Sequence, residues 1–100
     1  MIASSITAKA LKDRQNEFVV IDVREAEELS KGKIDVSIHM PLGAVIRSAR
    51  TGKLEHLKGK KIVTHCGTGY RGNIAADELN KAGFEAFNLE GGFKAWTENK

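Results

Sequence analysis

The 100-residue sequence contains one cysteine, one proline, one tryptophan and one tyrosine. A lone cysteine, Cys66, excludes an intrachain disulfide and a cysteine-rich metal site, and it fits a reducing compartment. No apolar run approaches the roughly 18 residues that a membrane span needs. The amino-terminal stretch MIASSITAKALKDRQ lacks the apolar core of a secretory signal. A cytoplasmic location is therefore expected, or a periplasmic one if a signal has been removed. Charge of one sign is also scarce: 16 basic side chains stand against 13 acidic ones, a net of +3. That is too little to announce nucleic acid. No repeat, low-complexity tract or linker interrupts the chain.

Leu, Ile, Val and Phe number 25, which rules out disorder by composition. A chain of this size hides about two thirds of its extended surface on folding, enough for one modest core. A single domain over residues 1–100 is expected, as a monomer. The charge is unevenly spread. Residues 44–61 carry Arg47, Arg50, Lys53, Lys58, Lys60 and Lys61 against Glu55 alone, a local net of +5. Such a patch can gather anions or an acidic protein partner. The plainer alternative is a solvated loop leading into a strand.

Short apolar runs alternate with short helical patterns. Phe18–Ile21 and Ile62–His65 read as strands buried on both faces. Ser37–Met40, closed by Pro41, and Glu85–Leu89 are further strand candidates. Thr7 can N-cap a helix over Ala8–Asp13, and Ala26–Lys31 reads as a short helix stopped by Gly32. The clearest helix runs from about Arg71 to Ala82. Ala75, Leu79 and Ala82 share one face there, and Gly83 sits where a C′ glycine belongs. Phe93, Ala95 and Trp96 suggest a last short helix, with Trp96 as its core anchor. The alternation implies an α/β domain: a mostly parallel sheet of about five short strands with helices on both faces. Sites in such sheets form at the carboxyl ends of strands.

Cys66-Gly67-Thr68-Gly69-Tyr70-Arg71-Gly72 occupies that position, between a strand and the strongest helix. A cysteine before a helix N-terminus faces unpaired N–H groups and the positive end of the dipole, a setting that favours the thiolate. Gly67, Gly69 and Gly72 let the backbone curl so that its amides converge on an anion. Arg71 adds a permanent cation. A thiolate in an anion cradle suits attack on an anionic substrate or the holding of an anionic intermediate. The alternative is a buried packing cysteine before a connecting turn. Thr68 either adds a hydroxyl to the cradle or serves the turn. Tyr70 either shapes the rim or is simply exposed. A cysteine phosphatase loop has five residues between Cys and Arg, and here there are four.

At these residues the chain resembles a single-domain rhodanese, a sulfurtransferase whose active loop begins at a cysteine and spans six residues. Val20-Ile21-Asp22-Val23-Arg24-Glu25 resembles the family's first motif. Gly32-Lys33-Ile34 with Ile38-His39-Met40-Pro41-Leu42 is similar to the second. Asn88-Leu89-Glu90-Gly91-Gly92-Phe93-Lys94-Ala95-Trp96 resembles the closing one. The likeness covers roughly residues 18–98 in order. Lys33, Asp35, Val36, Ser37 and His39 depart from the family's commoner residues. Gly67 stands where the family often carries Arg or Lys.

The resemblance implies that Cys66 is the nucleophile and that Gly67, Thr68, Gly69, Tyr70, Arg71 and Gly72 bind substrate. Asp22 and Arg24 are expected to support the scaffold. No metal and no organic cofactor is implied. His65 should point away from the face of Cys66, and His39 and His56 are ordinary residues. The implied chemistry passes a sulfane sulfur from thiosulfate, polysulfide or a protein persulfide, through a Cys66 persulfide, to cyanide, a thiol or a protein cysteine. With Gly67 and one cation in the loop, polysulfide is expected to outrank thiosulfate. The rival readings are a non-catalytic regulatory module, a partner-dependent sulfur carrier docking at residues 44–61, and a rhodanese-fold phosphatase or arsenate reductase.

Overall fold

A computed structural model describes residues 3–68 and 70–99. Among the described residues the strands and α-helices follow in order: β1 (Ser5–Ile6), α1 (Ala8–Asp13), β2 (Phe18–Asp22), α2 (Ala26–Leu29), β3 (Ile38–His39), α3 (Leu42–Arg50), β4 (Lys61–His65), α4 (Tyr70–Lys81), β5 (Glu85–Leu89) and α5 (Gly92–Glu98). The five strands form one sheet in the order β1-β5-β4-β2-β3, and every pairing is parallel. Val19 pairs with Ile62 and Ile62 with Ala86, so the two apolar runs seen in the sequence lie side by side at the centre.

Those runs are apolar at consecutive positions because both faces of the sheet are covered. On one face Ile21, Val23, Ile62 and Ala86 pack with Val45 of α3 and Ala75, Ala76 and Leu79 of α4. On the other, Val20, Val63 and Leu89 pack with Ala8 and Leu11 of α1, joined by Phe93 and Trp96 of α5. Val20 and Val63 therefore serve one layer while Ile21 and Ile62 serve the other, as a two-residue period requires.

Several boundaries match the sequence reading. Thr7 Oγ1 accepts the Ala10 N–H at 3.1 Å as the N-cap of α1. Gly83 takes φ +94° after α4, and the Phe84 N–H closes back on the Leu79 carbonyl. Helix α2 is shorter than expected, ending at Leu29, and β3 keeps only Ile38 and His39. Two elements differ outright. β1 is a two-residue edge strand held by Asn88 and Leu89, too short to show as a periodicity. Helix α3 runs into residues 44–61, for which a solvated loop is one of the two readings. Leu42, Val45 and Ala49 supply its packed face, disguised by Gly43 and by Arg47 and Arg50 at its end.

The connectivity fixes where a site can form. From β2 the chain proceeds outward to β3, whereas from β4 it proceeds the other way to β5. The carboxyl ends of β2 and β4 thus flank the point where the winding reverses, the crevice in which open parallel sheets bind ligands.

Candidate active site

Cys66 stands at the carboxyl end of β4, 1 % exposed, within the layer that includes α3 and α4. Alternation turns the preceding residue to the opposite side. His65 lies stacked on Phe93 of α5, with ring centroids 6.4 Å apart and 27° between planes. The imidazole is buried, neither ring nitrogen has a hydrogen-bond partner, and Nε2 lies 3.7 Å from Asp22 Oδ2. Burial pulls its pKa down, and the neighbouring Asp22 only partly offsets this. The neutral form therefore dominates at neutral pH.

The start of the loop is fastened from the far layer. The Phe93 N–H donates to the Cys66 carbonyl at 2.7 Å, and the Lys94 N–H to the Gly67 carbonyl at 3.0 Å. These are first-turn donors of α5, which have no acceptor inside their own helix. Gly92 makes the approach possible. It has φ +61°, and a Cβ there would lie 2.5 Å from the Cys66 oxygen and 2.8 Å from the Gly67 carbonyl carbon. Gly92 of the closing Gly-Gly pair therefore serves the Cys66 loop, a role that its sequence motif does not reveal.

The far end of the loop is also fixed. Gly72 is buried against the sheet, and a Cβ on it would meet Asn88 Oδ1 at 2.5 Å and His65 Cα at 3.1 Å. Thr64 Oγ1 donates to the Gly72 carbonyl at 2.7 Å. Of the other residues singled out in the loop, Gly67 is half-buried, Thr68 is exposed and Tyr70 is 77 % exposed. Gly69 lies outside the described residues.

Arg71 reaches back across the crevice. Its Nη1 and Nη2 donate to Oε1 and Oε2 of Glu28, each at 2.8 Å, a fork-to-fork pair. This bond holds the Glu28 carboxyl down at about 2, against the weaker opposing effect of burial. Glu28 raises the Arg71 pKa, and the Cys66 side chain adds to the same effect. Glu28 is itself positioned by α2, where Glu25 and Glu28 form a reciprocal capping box. Glu28 was not among the residues picked out from sequence. The Glu-x-x-Glu spacing of that box was its visible trace.

Asp22 and Arg24 occupy the carboxyl end of β2 and are buried. Arg24 donates its backbone N–H and Nε to Asp22 Oδ1, and Nε and Nη2 to Oδ2, at 2.9–3.2 Å. Nη2 also donates to the Gly32 carbonyl, and the guanidinium lies 4.4 Å from the Phe93 ring centroid. Burial pushes the Asp22 carboxyl up, but the bonds from Arg24 prevail and it sits below its usual range. His39 Nε2 lies 2.8 Å from the Arg24 carbonyl. The motif thus ties β2 to α5 and to the turn at Gly32.

The basic stretch 44–61 is divided. Arg47, Arg50 and Lys53 line a surface hollow on α3, where Arg50 pairs with Glu78 at 2.9 Å. Lys58 Nζ donates to the Ala82 carbonyl at the end of α4. Lys60 and Lys61 lie beside Glu17 and Phe18, where β2 and β4 begin, at the opposite end of the sheet from Cys66. Among the described residues no cluster of side chains suits a metal ion, and no helix is long and apolar enough to cross a membrane.

Known proteins share both this sequence pattern and this architecture. The sequence profile of the rhodanese-like domain matches residues 7–99. A Bacillus subtilis protein provisionally named a sulfurtransferase, YtwF, is 35 % identical over 100 residues, spanning 96 % of this chain and 92 % of its own. A second B. subtilis protein, provisionally named the sulfur carrier YrkF, is 34 % identical over 86 residues, which cover 85 % of this chain and 44 % of that one. The solved structure of a rhodanese-related protein from Thermoplasma volcanium superposes with a TM-score of 0.81 at 33 % identity, covering 95 % of this chain and 91 % of its own. The chain belongs to the rhodanese-like domain family.

Proposed function

We propose that this single domain is a sulfurtransferase that carries a sulfane sulfur as a persulfide on Cys66. The Cys66 thiolate bonds to the outer sulfur of a donor while the donor's own S–S bond breaks. The electron pair of that bond leaves on sulfite, on a shortened polysulfide or on a partner's thiolate. An acceptor thiolate or cyanide then takes the terminal sulfur and restores the thiolate. The chain has no second cysteine to resolve the persulfide, so the acceptor comes from outside.

The observation that carries this reading is a buried cysteine whose loop is secured by backbone bonds from α5 at one end and by the Thr64 hydroxyl at the other, and opens onto the N-terminus of α4. A persulfide is an anion, and amides of a helix's first turn are oriented to hold one without reorganising. Gly67, Thr68, Gly69, Tyr70, Arg71 and Gly72 are the substrate loop in this scheme, and Asp22 and Arg24 its support. Burial of the thiol favours reagents that present a slim terminal sulfur. With four residues between Cys66 and Arg71, the loop is smaller than one built around phosphate.

A carrier that receives its sulfur from a protein partner uses the same chemistry. The relative named a sulfur carrier favours keeping it as the second reading. The basic hollow at Arg47, Arg50 and Lys53 is then the surface for an acidic partner.

Intact-mass measurement after mixing with thiosulfate or polysulfide, beside Cys66→Ser, tests the scheme. The parent is expected to gain one sulfur and the variant none. No gain in the parent from either donor, or equal gain in the variant, ends the sulfurtransferase reading.

A further inference from the structure

The persulfide scheme gives Glu28 no task, yet its carboxylate is bound to the only cation between positions 66 and 72. Each terminal nitrogen of Arg71 gives one N–H to Glu28 at 2.8 Å. The pair spans the crevice between the ends of β2 and β4, with each side chain 34 % exposed. An incoming donor therefore meets a guanidinium already matched by a carboxylate. Beside it lies a cleft of about 440 Å³ lined by Arg24, Glu27, Glu28, Lys31 and Phe93. The charge of Arg24 is taken up by Asp22, and Glu27 offsets Lys31. The described residues of the cleft and of the loop thus present no surplus positive charge to a dianion.

We propose that Glu28 determines donor specificity: by neutralising Arg71 it selects sulfur donors of at most one negative charge, organic hydropersulfides, over dianionic thiosulfate. This rests on the persulfide reading above. With a hydropersulfide, RS–SH, the Cys66 sulfur bonds to the outer sulfur, the RS–S bond breaks and its electron pair departs on RS⁻. With thiosulfate the pair departs on sulfite. Neither step needs a further oxidant or reductant. They differ in the charge brought next to the Glu28 carboxylate. Removing a unit charge about 5 Å from a dianion at a half-exposed site changes its capture by on the order of tenfold after screening.

The rate of sulfur gain at Cys66 is followed by intact mass at low salt, with thiosulfate and with 2-hydroxyethyl hydropersulfide. The parent is expected to react faster with the hydropersulfide. Glu28→Gln is expected to raise the thiosulfate-to-hydropersulfide ratio about tenfold, through the concentration dependence rather than the limiting rate. Adding Arg71→Gln to the same chain should abolish that gain. An unchanged or lower ratio in Glu28→Gln, or a gain that survives in the double variant, overturns the proposal.

A second measurement needs no change at Glu28. In the Cys66→Ser chain, thiosulfate should leave the Arg71 Nε resonance unmoved at millimolar concentration. A shift with a Kd at or below about 1 mM overturns the proposal. If the parent gains no sulfur from either donor, the sulfurtransferase reading falls and this inference with it. If sulfur is gained and only the ratio fails to respond, this inference alone is lost.

Discussion

Two arginine–carboxylate pairs flank the same crevice and differ in almost everything but chemistry. Asp22–Arg24 is enclosed, with side-chain exposures of 0 and 5 %. It adds a backbone amide and a carbonyl to its bonds and rests on an aromatic ring. Glu28–Arg71 is a third exposed and joins two helices across a gap. An enclosed pair cannot lose one partner without stranding a charge away from water, whereas a partly exposed pair has water as a substitute. The first is therefore committed to holding shape. The second can be altered at small structural cost, which suits it to the donor selection proposed for Glu28.

The largest effect expected from this contrast is at Asp22. Asp22→Ala should destabilise the fold by about 3–5 kcal/mol, measured by urea unfolding. A loss below about 1 kcal/mol would place the pair with ordinary surface ion pairs. Next comes Gly92→Ala, which drives a methyl into the Cys66 and Gly67 carbonyls. It should cost about 1–3 kcal/mol and slow sulfur gain at Cys66. Unaltered persulfidation kinetics in a folded Gly92→Ala chain would show that the α5 contact does not position the loop.

Acid should then act on the enclosed side first. His65 has a lowered pKa when folded, so the unfolded chain takes up its proton first as pH falls. Stability is complete above about 6.5 and should fall by up to about 1.4 kcal/mol per pH unit below it. His65→Phe should remove that slope between pH 7 and 5; a slope that persists would assign it to another group. Asp22, lowered in the folded state, contributes stability above about 3.9 that is lost as pH falls through its folded value. The smallest effect belongs to the open pair. Glu28→Gln should change stability by less than about 1 kcal/mol while changing donor preference, and a larger loss would make the pair a structural one.

The sequence showed the parts of this site that arise from local pattern. Cys66 before glycines and a helix, the alternation of Val20 with Ile21 and of Val63 with Ile62, and the stop at Gly83 all follow from neighbours along the chain. What escaped it depends on contacts between distant segments. Glu28 meets Arg71 across 43 positions, and Gly92 meets Cys66 across 26. Helix α3 was hidden because its packed face has only Leu42, Val45 and Ala49, among basic residues that read as solvated. The +5 stretch looked continuous in one dimension, yet Arg47, Arg50 and Lys53 line a hollow on α3 while Lys60 and Lys61 line another beside Glu17 and Phe18.

Gly92 and Gly72 together have a consequence for loop size. The chain is pinned where the loop begins, by two carbonyl bonds to α5, and where it ends, by contact with Asn88, His65 and Thr64. With both anchor points set by packing outside the loop, the span between them does not depend on the residues inside it. A residue inserted between Tyr70 and Arg71 would therefore lengthen the loop without moving the two points that hold it. Conversion to an oxyanion-sized cradle would therefore require the two clamps to move apart as well as the loop to grow.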